Sequence, residues 1–228
     1  MNYKIITDED ELQRFVDWLP ETKENEQYYM CLFARKKYIK DLEHLPNIPH
    51  IRSDKAQLKR MTSTKDRIID KIRQLECPVG SFKAGEHPAP QESLALYIST
   101  NPRDLWRATV RTIGQLAKVL EGQGKNSNPH AEAMSEIQKC AGTRHHVAFD
   151  IDEKDENILD ECIGYVDGHC RVLETRGGYH LFVDKSKIPE IKEKMWHQKI
   201  AKYSDQTGDL MSPVGGTFQG GHSVKFIR

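Results

Sequence analysis

The stretch HHVAFDID (145–152) runs from two histidines through Val147, Ala148 and Phe149 into two carboxylates one residue apart, Asp150 and Asp152. The apolar run reads as a strand, and alternation in a strand points Asp150 and Asp152 to the same face. Two like charges about 6–7 Å apart at a strand's end are either solvated or gathered around a cation. His145 and His146 could themselves suggest metal ligands. The plainer reading is that they begin the strand, one of them facing outward.

Working outward, residues 153–163 read as a helix, and CRVLET-RGG-YHLFV (170–183) as a β-hairpin turning at Gly177-Gly178. A helix near 187–203 and a strand around 222–227 close the chain. Upstream, YYMCLFA (28–34) and SLALYIST (93–100) read as buried strands. The first helix is expected after Thr7 as cap, with Asp10 in its third position, a stripe of Leu12, Phe15, Val16 and Leu19, and Pro20 as stop. Residues 56–75 follow a helical pattern with Leu58, Met61, Ile68, Ile69 and Ile72 inward. Residues 77–90 read as a loop. A helix over 101–120 is expected with Asn101 as cap, Pro102 at its first position and an apolar stripe of Trp106, Val110, Ile113, Ala117 and Leu120. A polar connection (121–132) and a short helix near 131–139 follow. Strands and helices alternate irregularly and one pair forms a hairpin, so the pattern predicts an α+β fold rather than a doubly wound parallel sheet.

With 228 residues the chain can bury a real core, as one large domain or two small ones. Its 34 basic and 34 acidic residues balance, no apolar run approaches the roughly 20 residues of a membrane helix, and the N-terminus lacks a signal peptide's apolar block. Five cysteines without a Cys-x-x-Cys pair fit a reducing compartment, so a cytoplasmic location is expected. Charge is unevenly spread. Residues 54–74 hold seven Lys or Arg against three Asp, whereas residues 150–161 hold seven acids and only Lys154. A basic arm beside an acidic centre suits a polyanion held near metal ions; two solvated helix faces would give the same counts.

Three features carry chemistry. The Asp150-x-Asp152 pair suits hard divalent ions such as Mg²⁺, which take carboxylate oxygens and keep positions open for phosphate. In ETRGGYHLFV (174–183), Thr175, Arg176 and His180 surround Gly177 and Gly178, offering donors where a phosphate can approach the backbone; a plain Gly-Gly turn with a packed histidine is the structural alternative. DQTGDLMSPVGGTFQGGHSVKFI (205–227) supplies Asp205 and Asp209, four glycines within 215–221, and Lys225 on the last strand. Those glycines either make room for a ligand or form an ordinary loop.

In this order the three motifs AFDID, TRGGYH and GDLMSPVGGTFQGG resemble the catalytic core of the archaeo-eukaryotic primase superfamily, the primase-polymerases. LALYISTNPR is similar to that family's upstream strand and helix, so the likeness covers most of the chain. The resemblance implies an α+β core of two lobes, an α/β N-terminal lobe (1–140) and an RRM-like antiparallel sheet lobe (141–228) bearing the acidic motifs. It implies a metal-dependent nucleotidyltransferase that adds nucleotides from NTP or dNTP to a strand on a DNA template. Asp150, Asp152 and Asp209 would be catalytic and hold two Mg²⁺ or Mn²⁺ ions. Thr175, Arg176, Gly177, Gly178 and His180 would bind the nucleotide, with Lys225 neutralising phosphate. Gly215 stands where the family has a proline, and the spacing to the third acid is loose, which leaves Asp205 a rival to Asp209. No helicase or accessory module is visible, so unwinding would come from partner replication proteins. Cys162, His169 and Cys170 do not make a tetrahedral set, and no structural zinc is expected. The alternatives are a primase-like nucleotide- or nucleic-acid-binding module without turnover, and a metal-dependent nuclease.

Overall fold

Strand β1 (Glu26–Arg35) shows how the core is divided. Tyr28, Met30, Leu32 and Ala34 enter one hydrophobic cluster, while Tyr29, Cys31 and Phe33 enter another. Alternation therefore sends successive side chains to two cores, as expected for a strand covered on both faces. The computed structural model describes residues 1–39, 55–84, 87–122 and 128–228. Asp54 of the basic stretch, residues 85–86 of the expected loop and residues 123–127 of the polar connection lie outside the described residues.

The elements are α1 (Glu9–Trp18), β1, β2 (Lys55–Ser63), α2 (Ile68–Arg73), β3 (Lys83–Ala84), β4 (His87–Pro88), β5 (Leu94–Ser99), β6 (Arg103–Asp104), α3 (Leu105–Leu120), α4 (Pro129–Lys139), β7 (His146–Ile151), α5 (Glu156–Tyr165), β8 (Cys170–Glu174), β9 (Tyr179–Asp184), α6 (Trp196–Ala201), β10 (Gln206–Gly208), β11 (Met211–Pro213), β12 (Phe218–Gln219), β13 (His222–Ser223) and β14 (Lys225–Phe226). They build a mixed α+β fold with two large antiparallel sheets. The first runs β13-β12-β5-β1-β2, with β11 also on β5 and β6 on β1; the second runs β10-β7-β9-β8-β14. Residues 211–223 thus return to the first sheet before β14 rejoins the second, so the sheets do not divide the chain cleanly at 140/141. Among the described residues no helix is long and apolar enough to cross a membrane.

Helix α1 lies between the sheets. Leu12 and Phe15 are fully buried; Phe15 stacks on Phe226, and Trp18 stacks on His146, meets Phe226 edge-on and lies tilted against Phe182. Each such side chain contributes roughly 1.5–3 kcal/mol. Its cap is Asp8, which accepts from the Glu11 amide, rather than Thr7, which bonds Gly216 instead. The far face of the second sheet is covered by α5 and α6 through Leu159, Cys162 and Ile200. The far face of the first sheet is covered by α4 through Met134.

Two expectations are corrected. Residues 55–63 are a strand antiparallel to β1, not the first half of a helix. A bulge leaves Leu58 without a partner, since Leu32 pairs Lys59 and Phe33 pairs Gln57. That extra residue sets Leu58 and Met61, both packed on the core, three apart and so imitates a helical step. The basic stretch consequently makes no single helical face: Lys65 pairs Glu21, Arg73 pairs Glu9, and Arg60 bonds Ser135. Second, α3 begins at Leu105 under the cap Asp104. Asn101, fully buried, is spent on tertiary bonds. Its Oδ1 accepts from the amides of His145 and His146, and its Nδ2 donates to the His146 carbonyl and to Asp209.

Candidate active site

The central pair of the second sheet sets the site. Asp150 and His180 are register partners across β7 and β9 and share the face carrying Ala148 and Phe182, which looks toward the first sheet. His180 Nε2 lies 3.0 Å from Asp150 Oδ1. Nδ1 of the same buried ring has no hydrogen-bond partner. Asp152 stands just beyond the end of β7, where the hairpin turn leans over it. A Cβ on Gly177 would approach Asp152 Oδ1 to 3.3 Å, and one on Gly178 would collide with the Ile151 carbonyl at 1.9 Å. Gly178 is therefore required by the approach of two backbones, the turn and the acidic strand end, whereas Gly177 meets only the Asp152 side chain. Thr175 closes that turn: its amide donates to the Gly178 carbonyl and its hydroxyl accepts from the Gly178 amide.

The third carboxylate beside this pair is Asp205. Its amide donates to the Asp150 carbonyl at 2.9 Å, and its side chain lines the cleft with those of Asp150 and Asp152. Burial first, then the neighbouring Asp150 charge and Asp205, hold the Asp152 carboxyl above the usual carboxylate range, against the pull of Lys37. Asp209 lines the same cleft but is neutralised. Arg103 Nη1 sits 2.6 Å from Asp209 Oδ2, and Asn101 Nδ2 is 3.1 Å from Oδ1. Between the rivals, the structure sets Asp205 with the acids and Asp209 in an ion pair.

Cationic and aromatic side chains line the same cleft, and Arg176 apart the sequence reading passed them over. Arg35, Lys37, Tyr38 and Tyr97 line the cleft with Arg176 and Gln219. The Arg176 guanidinium stacks 4.6 Å above the Tyr38 ring, and its amide donates to Gln219 Oε1. Arg35 Nη1 donates to the Tyr97 hydroxyl, and Gln219 Nε2 to the Tyr38 hydroxyl. The signal was present in FARKKY (33–38): cations directly after an apolar strand, the same arrangement that drew attention to Asp150.

The glycine-rich segment 215–221 supports this lining rather than opening space in it. Gly216, at φ +75°, packs on the backbone of Asp8 and Leu12 at the start of α1. A Cβ on Gly220 would strike Arg176 and Tyr38 within 2.5 Å. Lys225 is not brought to the cleft; it is exposed on β14, 3.6 Å from Glu174. Thr175, Arg176, Gly177, His180, Asp150, Asp152, Asp205 and Asp209 all line the cleft, and Gly178 underpins it.

The cleft encloses about 680 Å³, within the range of small-molecule sites. Among the described residues no three His, Cys, Asp or Glu side chains stand in a formed metal-site geometry. Asp150, Asp152 and Asp205 line the cleft without forming such a group, and their carboxylate oxygens are of the donor class that hard cations take. Carboxylates and guanidinium groups therefore share one lining. No protein-family model, curated protein or solved structure matches this chain.

Proposed function

We propose that the cleft binds a nucleoside triphosphate and transfers its nucleotidyl group to a nucleic-acid strand, as a primase-polymerase does. One observation carries the reading: the β7–β9 register sets Asp150 against His180, with Asp152 and Asp205 alongside and Arg35, Lys37 and Arg176 in the same cleft. The unit β7-α5-β8-β9-α6-β10, ordered β10-β7-β9-β8 with both helices on one face, agrees with the RRM-like lobe of that family. The first sheet supplies Arg35, Tyr97 and Gln219 to the same cleft.

In this reading Asp150, Asp152 and Asp205 hold Mg²⁺ or Mn²⁺. When bound, the ions neutralise charge on the attacking and leaving oxygens. His180 fixes the orientation of Asp150. Arg35, Lys37 and Arg176 neutralise the phosphate tail, and the two guanidinium groups are already oriented by Tyr97 and Tyr38, so little ordering is left for binding. The 3′-hydroxyl of the growing strand gives its proton to water and attacks the α-phosphorus; a P–O bond forms, the bond to the bridging oxygen breaks, and pyrophosphate leaves with its electrons. Asp209 anchors the cleft floor through Arg103 instead of binding metal.

Primer extension on a primed DNA template, with Mg²⁺ or Mn²⁺ and labelled NTP or dNTP, is the test. Incorporation that disappears in the Asp150→Ala, Asp152→Ala double variant is expected; full activity in that variant ends the proposal. A second reading, triphosphate binding without turnover, is favoured by the charge of Asp209 already being matched by Arg103. Saturable nucleotide binding with no incorporation under either metal would support it.

A further inference from the structure

Gln219, 3% exposed, ends β12 and is followed by Gly220. Its carboxamide can be oriented in one way only. The main-chain N–H of Arg176 is a donor and lies 2.8 Å from one atom of the amide, so that atom is the carbonyl Oε1. Nε2 therefore faces the hydroxyls of Tyr38 at 3.0 Å and Tyr97 at 3.4 Å and donates to both. The Tyr97 hydroxyl also accepts from Arg35 Nη1 at 2.9 Å. Burial pushes that hydroxyl above its ordinary range, so it keeps its proton. One buried amide thus joins the main chain of Arg176, the ring that carries the Arg176 guanidinium, and the hydroxyl that holds Arg35.

Arg176 has acids at hand and does not take them. The next residue, Gly177, packs on the Asp152 carboxylate, where a Cβ would stand 3.3 Å from Oδ1, and Asp150 and Asp205 line the same cleft. An unrestrained guanidinium so placed would be drawn to the carboxylates. Among the described residues none of them lies within ion-pair distance of Arg176. Its guanidinium instead lies on the Tyr38 ring, donates to the Tyr38 carbonyl at 3.4 Å, and fills the space that a Cβ on Gly220 would need.

We propose that Gln219 is a positioning residue: with Gly220 it seats Arg176 on Tyr38, away from the acids, which keeps the guanidinium for a phosphate tail and the carboxylates for metal. This rests on the function proposed above. An amide suits the seat because it accepts from a main-chain N–H and donates to two hydroxyls without bringing a charge beside the guanidinium groups.

Calorimetry with sodium tripolyphosphate in EDTA reads the cationic groups without metal or turnover. The parent is expected to bind saturably. Gln219→Leu loses all three bonds; Gln219→Glu keeps the acceptor for the Arg176 amide but adds a negative charge. Each should bind roughly tenfold or more weakly, the size of one lost charge-assisted bond. Gln219→Glu should melt with the parent or above it, so its loss of binding is not a loss of fold. Mn²⁺ titration by electron paramagnetic resonance reads the acids. Gln219→Leu should bind Mn²⁺ more weakly as Arg176 turns to the carboxylates, and adding Arg176→Ala should restore the parent's affinity. A residue that only stabilised the fold would give no such recovery. No tripolyphosphate binding by the parent, parental binding in both Gln219 variants, unchanged Mn²⁺ affinity in Gln219→Leu, or an affinity that Arg176→Ala leaves depressed overturns the proposal. A parent that binds tripolyphosphate but neither takes up Mn²⁺ nor incorporates nucleotide refutes the proposed function alone, and the tripolyphosphate comparison then decides the role of Gln219.

Discussion

Replacing Asp209 and Asp205 separately should divide a structural acid from a working one. The Arg103 side chain is 4% exposed and that of Asp209 12%, and their N–O distance is 2.6 Å. Asp209→Ala leaves a buried guanidinium without its counter-ion, which costs about 3–5 kcal/mol. At about 2–4 °C per kcal/mol for a chain of this length, the melting temperature should fall by roughly 6–20 °C. No ion pair of Asp205 stands among the described residues and its charge weighs against an ionised Asp152, so the melting temperature of Asp205→Ala should stay within about 2 °C of the parent or rise. Thermal melting at pH 7 reads the first effect. Metal-dependent nucleotide incorporation reads the second, where Asp205→Ala should lose at least about 100-fold, the order expected for a lost charge-stabilising group. Pairing Arg103→Met with Asp209→Leu should recover much of the lost stability, because a well-packed apolar pair can replace a buried ion pair. Equal melting of Asp209→Ala and the parent would refute the argument. So would an Asp205→Ala variant as unstable as the Asp209 one.

Burial holds the His146 imidazole, stacked 4.6 Å from Trp18, down at about 4 from an ordinary 6.5. The unfolded chain therefore takes up that proton first, and stability is lost as pH falls from 6.5 toward 4, by roughly 3 kcal/mol in all. His146→Phe keeps the stack and should flatten this part of the urea-denaturation pH profile; an unchanged slope would refute the assignment. Gly178→Ala should cost about 3 kcal/mol or more, or displace the hairpin, because the obstructing atoms are backbone of Ile151 and Glu153; a variant melting with the parent would contradict the packing. Arg176→Ala should weaken nucleoside triphosphate binding about tenfold or more by calorimetry, and Arg176→Lys should not restore it, since an ammonium cannot reproduce the planar stack on Tyr38.

What the sequence made legible was local. The β7 strand and the β8–β9 hairpin were readable because an apolar run, a charge pair and a Gly-Gly turn each sit within a few residues. Strand β2 was not, because a single bulged residue turned a period of two into a step of three. Asn101 looked like a helix cap because Pro102 follows it. Its side chain instead satisfies two amides more than 40 residues away, and only the assembled fold reveals those partners. Distance in the chain also hid the choice between Asp205 and Asp209. Asp205 is placed by a backbone bond to Asp150, whereas Asp209 is claimed by Arg103, 106 residues earlier.

The glycine-rich segment shows why composition alone misassigns a loop. Four glycines in seven residues read as room for a ligand, yet the atoms that need that room belong to the chain itself: Asp8 and Leu12 of the α1 region, Arg176 and Tyr38. By letting Gly220 pass under the Arg176–Tyr38 stack, the segment ties the first sheet to the hairpin of the second. The hairpin in turn rests Gly178 on the strand end that carries Asp150 and Asp152. A side chain at Gly220 would therefore disturb the cationic side chains, and one at Gly178 the acidic end, though neither glycine offers a group to a ligand. The acidic end is thus held by backbone packing at Gly178 that only glycine permits, whereas at Gly220 the missing side chain makes room for the Arg176 and Tyr38 side chains themselves.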